Sequence, residues 1–160
     1  MKLPGRRFWL RAGLVLAVAF VGVQFVPYGR DHVNPPVVAE PVWDSPETRA
    51  LARQACFDCH SNETAWPVYS HVAPVSWLIQ RDIAEGRAAL NFSEWQRPQK
   101  EAKDAAEEVL EGEMPLRIYQ LMHAHARLSP ADRDRLARGL ERTVRGGMRS
   151  EARSITENQR

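Results

Sequence analysis

Residues 45–146 predict a small all-α domain. Three observations carry that expectation. Apolar residues recur at helical spacing, as in Leu51/Ala55, Leu78/Ile79/Ile83, Ala102/Ala105/Ala106/Val109/Leu110 and Leu136/Leu140/Val144. Helix starts are marked by Ser45-Pro46, Pro74 and Ser129-Pro130, and helix ends by Gly86, Gly112 and Gly146-Gly147. No alternating β-run occurs between residues 45 and 145.

Ahead of this domain the N-terminus has the layout of an export signal. Lys2, Arg6, Arg7 and Arg11 precede the uncharged apolar run Ala12–Val26, broken only by Gln24. That run is fifteen residues, short of the roughly 20 that span a bilayer. Phe8, Trp9 and Leu10 extend it, with Arg11 able to snorkel. Val26-Pro27-Tyr28 is a poor cleavage site, so residues 1–27 read as an uncleaved membrane helix. The basic flank keeps the N-terminus cytoplasmic and puts residue 30 onward outside. In a bacterium this means a single-pass inner-membrane protein whose domain faces the periplasm. The formal charge of +2 divides unevenly: residues 1–30 hold five basic groups and no acid, while the rest has 17 basic against 20 acidic. The basic excess therefore belongs to the anchor and gives no reason to expect nucleic acid as a partner.

Residues 28–44 contain Pro35, Pro36 and Pro41 and read as an extended linker, with His32 solvent-exposed. Ser45 caps a first helix that delivers the chain into Cys56-Phe57-Asp58-Cys59-His60. C-x-x-C-H is the attachment signature of c-type haem. Two intervening residues place both thiols along one haem edge, where they add to the vinyl groups, and the next residue falls beneath the iron. His60 is thus the natural proximal ligand. The alternatives are a thioredoxin-like thiol pair, which wants a βαβ context, and a zinc site, which wants further cysteines; the chain has two in all. One covalent haem would also staple a modest core.

The stretch after this site is rich in aromatic residues. Trp66, Tyr69, Trp77 and Trp95 could cover haem faces, and their polar hydrogens could reach a propionate, with Arg81 and Arg87 as further propionate candidates. Beyond the acidic helix Lys100–Glu111 comes Gly112-Glu113-Met114-Pro115. A thioether in such a loop is a soft, neutral donor that favours ferrous iron, and the proline resists closure of a helix over the metal. Met114 is the expected sixth ligand, with His71, Met122 and His123 as alternatives. The last helix carries Leu136, Leu140 and Val144 on one stripe and five arginines elsewhere, and residues 147–160 read as a disordered tail.

Several runs together are specific: Gln24-Phe25-Val26-Pro27-Tyr28-Gly29-Arg30, Cys56–Thr64, Trp66-Pro67, Tyr69-Ser70, Ala73-Pro74-Val75-Ser76-Trp77 and Asn91-Phe92-Ser93-Glu94-Trp95. They resemble the bacterial haem-binding domain family of cytochrome c-like, usually membrane-anchored, monohaem proteins. The resemblance runs to the helix ending near Arg145; Val68, His71 and Leu116 depart from its pattern. It implies a small cytochrome c-like helical domain around one covalent haem, in which the last helix crosses the first so that Leu136 or Leu140 meets Leu51. Cys56, Cys59, His60 and Met114 would hold the haem, with Trp66, Tyr69 and Trp77 around it. The expected function is single-electron transfer with redox partner proteins, without a small-molecule substrate and without enzymatic activity. A haem-based gas sensor or haem enzyme with an open or labile sixth position is the alternative.

Overall fold

The computed structural model describes residues 5–158, with side chains through Gly147. Lys2 of the basic flank, and Gln159 and Arg160 of the expected tail, lie outside them. Seven α-helices are described: α1 (Arg6–Val23), α2 (Pro46–Ala55), α3 (Phe57–His60), α4 (Val75–Ala89), α5 (Ala105–Glu111), α6 (Arg117–Met122) and α7 (Pro130–Asn158). Short 3₁₀ turns add Val68–His71 and Ala124–Ala126. Among the described residues no strand forms, and one isolated parallel bridge pairs Ala39 with Glu94. The all-α expectation holds. The chain divides into two compact units, Met1–Val33 with Trp66–Asp82 and Asn34–Ala65 with Ile83–Arg160.

In the first unit, α1 is helical as expected and buries none of its residues. Yet among the described residues no helix is long and apolar enough to cross a membrane. Arg6, Arg7 and Arg11 occupy the front of α1, so its uncharged part covers about 18 Å at 1.5 Å per residue, against a hydrocarbon core of about 30 Å. Beyond α1, the Gln24 amide donates to the Ala73 carbonyl at 2.9 Å and accepts from the Ala73 N–H at 3.0 Å. Arg30 grips the same residue, donating to the Gln24 backbone and side-chain oxygens. Gly29 takes a left-handed φ of 74°, and a Cβ there would stand 2.5 Å from the Ser76 carbonyl oxygen. These contacts account for Gln24, Gly29 and Arg30 of the Gln24 to Arg30 run. His32 is not free in solvent as expected: it is half-buried, stacked on Trp66 at 4.5 Å and edge-on to His71 at 4.3 Å.

The second unit holds the hydrophobic core. Ser45 caps α2 by accepting from Thr48 N–H, with Pro46 at the first helical position. Ser129 caps α7 by accepting from Asp132 N–H at 3.1 Å and donating to its carboxylate at 2.6 Å. The two helices pack together, and Leu51, Ala55, Leu136, Leu140 and Val144 share one buried cluster with Phe57 and Phe92, in line with the packing of the last helix on the first that the resemblance implies. Close approach depends on Gly139, where a Cβ would fall 2.1 Å from the Thr48 hydroxyl oxygen.

Four expectations need correction. Leu78 is not on the buried face of α4; it is 56 % exposed, while Ser76 and Ile83 are buried. α5 starts at Ala105 instead of Lys100, since Glu101 to Asp104 form turns. Gly146-Gly147 does not stop α7, which runs on to Asn158. Neither glycine takes a left-handed φ, and two interior glycines cost only about 1 kcal/mol each. The part of the linker from Asn34 is extended but packed: Val38 and Ala39 donate to the Ser93 carbonyl, Trp95 N–H donates to Ala39, and Trp43 packs 5.0 Å from Phe92.

Candidate functional site

Cys56 begins where α2 ends, and α3 carries Cys59 and His60 one turn on: the Cys59 and His60 N–H groups both donate to the Cys56 carbonyl. Residues three apart on a helix are neighbours, so the two thiols share one face of this turn.

Behind the turn stands a lattice of buried polar groups. The Ser61 hydroxyl donates to the Phe57 carbonyl at 2.7 Å, and Phe92 N–H donates to the His60 carbonyl at 2.8 Å. Asn62 N–H donates to the Ser93 hydroxyl, Asn91 donates its side-chain amide to the Asn62 oxygen, and Ser93 N–H donates to the Asn91 oxygen, each at 2.9 Å. Arg87 closes one side, donating to the Ser61 carbonyl at 2.8 Å and the Thr64 hydroxyl at 3.0 Å. Its guanidinium is thereby committed to the loop. The run Asn91-Phe92-Ser93-Glu94-Trp95 stands out in the sequence, but nothing in it there points to this buried network. Its signal is local only: small polar residues flank an aromatic, which suits a buried turn.

His60 is held most firmly. Its Nδ1 lies 3.0 Å from both the Gly86 and the Leu90 carbonyl oxygens at the end of α4. Both partners are acceptors, so Nδ1 carries the proton and Nε2 keeps its lone pair. Burial lowers the His60 pKa, opposed in part by those two carbonyls. The ring is therefore neutral and ligand-competent near neutral pH. Burial also pushes the Cys56 thiol up to about 12, with Cys59 adding a smaller push. A thiol held protonated is a poor nucleophile.

Cys56, His60 and Met114 line one cavity of about 370 Å³. Its apolar walls include Leu90, Phe92, Val109 and Leu140, and Glu101, Asp104 and Glu108 also line it. Met114 arrives through Gly112, whose left-handed φ of 81° ends α5 and lets Glu113 and Met114 N–H both donate to the Glu108 carbonyl. A bare imidazole nitrogen, a thioether, two thiols on one helical turn and apolar walls form a donor set that fits haem.

None of the alternative ligands is among the residues lining this cavity. His71 is in the first unit, beside His32. His123 stacks on Tyr119 at 4.1 Å, and Met122 is 60 % exposed. Trp66, Tyr69 and Trp77 also belong to the first unit and are not among the residues lining the cavity. The aromatic wall is Phe92, with Trp95 stacked against it at 6.1 Å.

A family model described as a haem-binding domain matches residues 18–142. No curated protein and no solved structure matches the chain. With a neutral imidazole, a thioether and the Cys56 thiol lining one cavity, Cys59 one turn from Cys56 but not among the lining residues, and with most of its length matched, the chain belongs to the haem-binding domain family.

Proposed function

We propose that the protein is a c-type monohaem electron carrier, with haem bonded covalently to Cys56 and Cys59 and ligated by His60 and Met114. The supporting observation is that His60, its Nε2 left free by the carbonyl clasp on Nδ1, lines the same cavity as Met114. Bound haem supplies a one-electron iron couple. The chain's residues do the rest. The Gly86 and Leu90 carbonyls fix the tautomer of His60 and raise its basicity, which favours ferric iron. The neutral thioether of Met114 favours ferrous iron instead. Leu90, Phe92, Val109 and Leu140 keep water away, which limits reorganisation when charge changes. With His60 and Met114 as its ligands, the bound haem would pass electrons to and from protein partners without a substrate on the iron.

We assign α1 to a membrane. It carries Phe8, Trp9, Leu14, Leu16 and Phe20 more than half exposed behind a basic front and buries nothing in the protein. That arrangement suits an anchor that keeps the haem domain on the periplasmic side of a bacterial inner membrane. Membrane fractionation of the full chain against a chain lacking residues 1–27 tests it; a full chain that stays in the soluble fraction overturns it.

The deciding experiment uses protein expressed with haem-attachment machinery. A mass increase of one haem, lost in Cys56→Ser/Cys59→Ser, establishes covalent attachment. A low-spin ferric spectrum with the weak sulfur-to-iron band, lost in Met114→Ala, establishes His/Met ligation. A high-spin wild type whose ferrous form binds carbon monoxide overturns the carrier reading in favour of a gas sensor or haem enzyme.

A further inference from the structure

We propose that Gly86 is a positioning residue for the proximal ligand, setting the donor strength of His60 by letting the last turn of α4 lie against the Cys56–His60 turn. The inference deepens the function proposed above, and rests on His60 as a haem ligand but not on Met114.

A Cβ at Gly86 would stand 2.7 Å from the Cys59 carbonyl oxygen and 3.2 Å from the Cys59 carbonyl carbon and Cβ. The nearest of these atoms is backbone and cannot rotate away. Any side chain at residue 86 must therefore move α4 and the attachment turn apart. Both carbonyls that hold His60 sit at that contact: one belongs to Gly86 itself and the other to Leu90, one turn on. Leu90 N–H donates to the Gly86 carbonyl at 2.9 Å, so the two move together on a closed helical turn. Their bonds to Nδ1 are 3.0 Å long, and a displacement of about half an ångström takes them past useful hydrogen-bond length. The C-terminal end of α4 also presents the negative pole of that helix to the imidazole N–H. Partial withdrawal of this proton leaves more electron density on Nε2, which stabilises the ferric state. Releasing the clasp should therefore raise the reduction potential.

The test compares haem-loaded full-length wild type, Gly86→Ala and Gly146→Ala. Gly146 is a control, because a Cβ there meets nothing within 4 Å. The readouts are hydrogen exchange of the His60 Nδ1–H by NMR and the midpoint potential. Gly86→Ala is expected to exchange about tenfold faster, one hydrogen bond's worth, and to have a higher potential, with Gly146→Ala at wild-type values. Wild-type exchange and potential in Gly86→Ala would overturn the proposal. Should Gly86→Ala fail to fold, the ferrous wild type decides alone. Scalar coupling from Nδ1–H across to the Gly86 or Leu90 carbonyl carbon supports the clasp, and exchange as fast as free imidazole sinks it. A wild type with haem but an open sixth position would defeat His/Met ligation while leaving both readouts measurable.

Discussion

On the His60 side of the cavity, Phe57, Ser61, Asn62, Asn91, Phe92 and Ser93 are each at most 2 % exposed. On the Met114 side, α6 buries none of its residues, and Ile118, Leu121 and Met122 are 60 % exposed or more. The proximal loop is tied by hydrogen bonds among groups that water does not reach, so each is costly to break. Two hydrogen bonds tie the segment after Met114 to α2 and α3. The Tyr119 hydroxyl donates to the Asp58 carboxylate at 2.6 Å, and Gln54 donates to the His125 carbonyl at 2.6 Å. Segments with few buried contacts open locally at low free energy. If His60 and Met114 ligate haem as proposed, the contrast puts the choice between electron carrier and gas-binding protein on the Met114 side.

Four measurements would break or sharpen this contrast. The largest effect is expected at the helix crossing, where Leu136 is fully buried. Leu136→Ala should cost about 2–5 kcal/mol in denaturant unfolding, whereas Leu121→Ala, on exposed α6, should stay within about 0.5 kcal/mol. Equal losses would erase the distinction. Next, Asn91→Ala strands the Asn62 oxygen and the Ser93 N–H, and should cost about 1–3 kcal/mol by the same assay.

Tyr119→Phe removes one partly buried bond and should cost about 1 kcal/mol. Its clearer signature is faster or tighter carbon monoxide binding to ferrous protein, because the segment behind Met114 loses its tie to Asp58. Unchanged carbon monoxide kinetics would show that this tie does not hold the distal loop. The smallest effect concerns acid. Glu94 has its pKa lowered from 4.5, first by the Asn62 side-chain amide and also by Arg97. A carboxylate depressed in the folded state stabilises the fold above its ordinary pKa, and that contribution fades as pH falls through the folded value. Glu94→Gln should therefore flatten the loss of thermal stability on acidification below about pH 4.5; an unchanged acid profile would remove Glu94 from the lattice.

Much of the fold was legible from local signals. Ser45-Pro46 and Ser129-Pro130 cap α2 and α7 because hydroxyl acceptors and a fixed proline φ act within one turn. Gly112 ends α5 because a left-handed φ is nearly free for glycine alone. Where several outcomes were locally allowed, reading along the chain failed. Gly146-Gly147 could end a helix or sit inside one, and His32 could face water or stack on Trp66. Leu78 has the period of a core residue yet is left exposed.

The sequence by itself determined the pentapeptide Cys56–His60, the stripes of α2 and α7 and the Met114-Pro115 loop, since spacing and residue chemistry are local properties. Only the tertiary structure decided which nitrogen of His60 is free, that Asn62, Asn91 and Ser93 lock the loop behind it, and that Gly86 must lack a side chain. Each of those depends on atoms some thirty residues apart meeting within hydrogen-bond or van der Waals distance, and no local pattern along the chain encodes such a meeting.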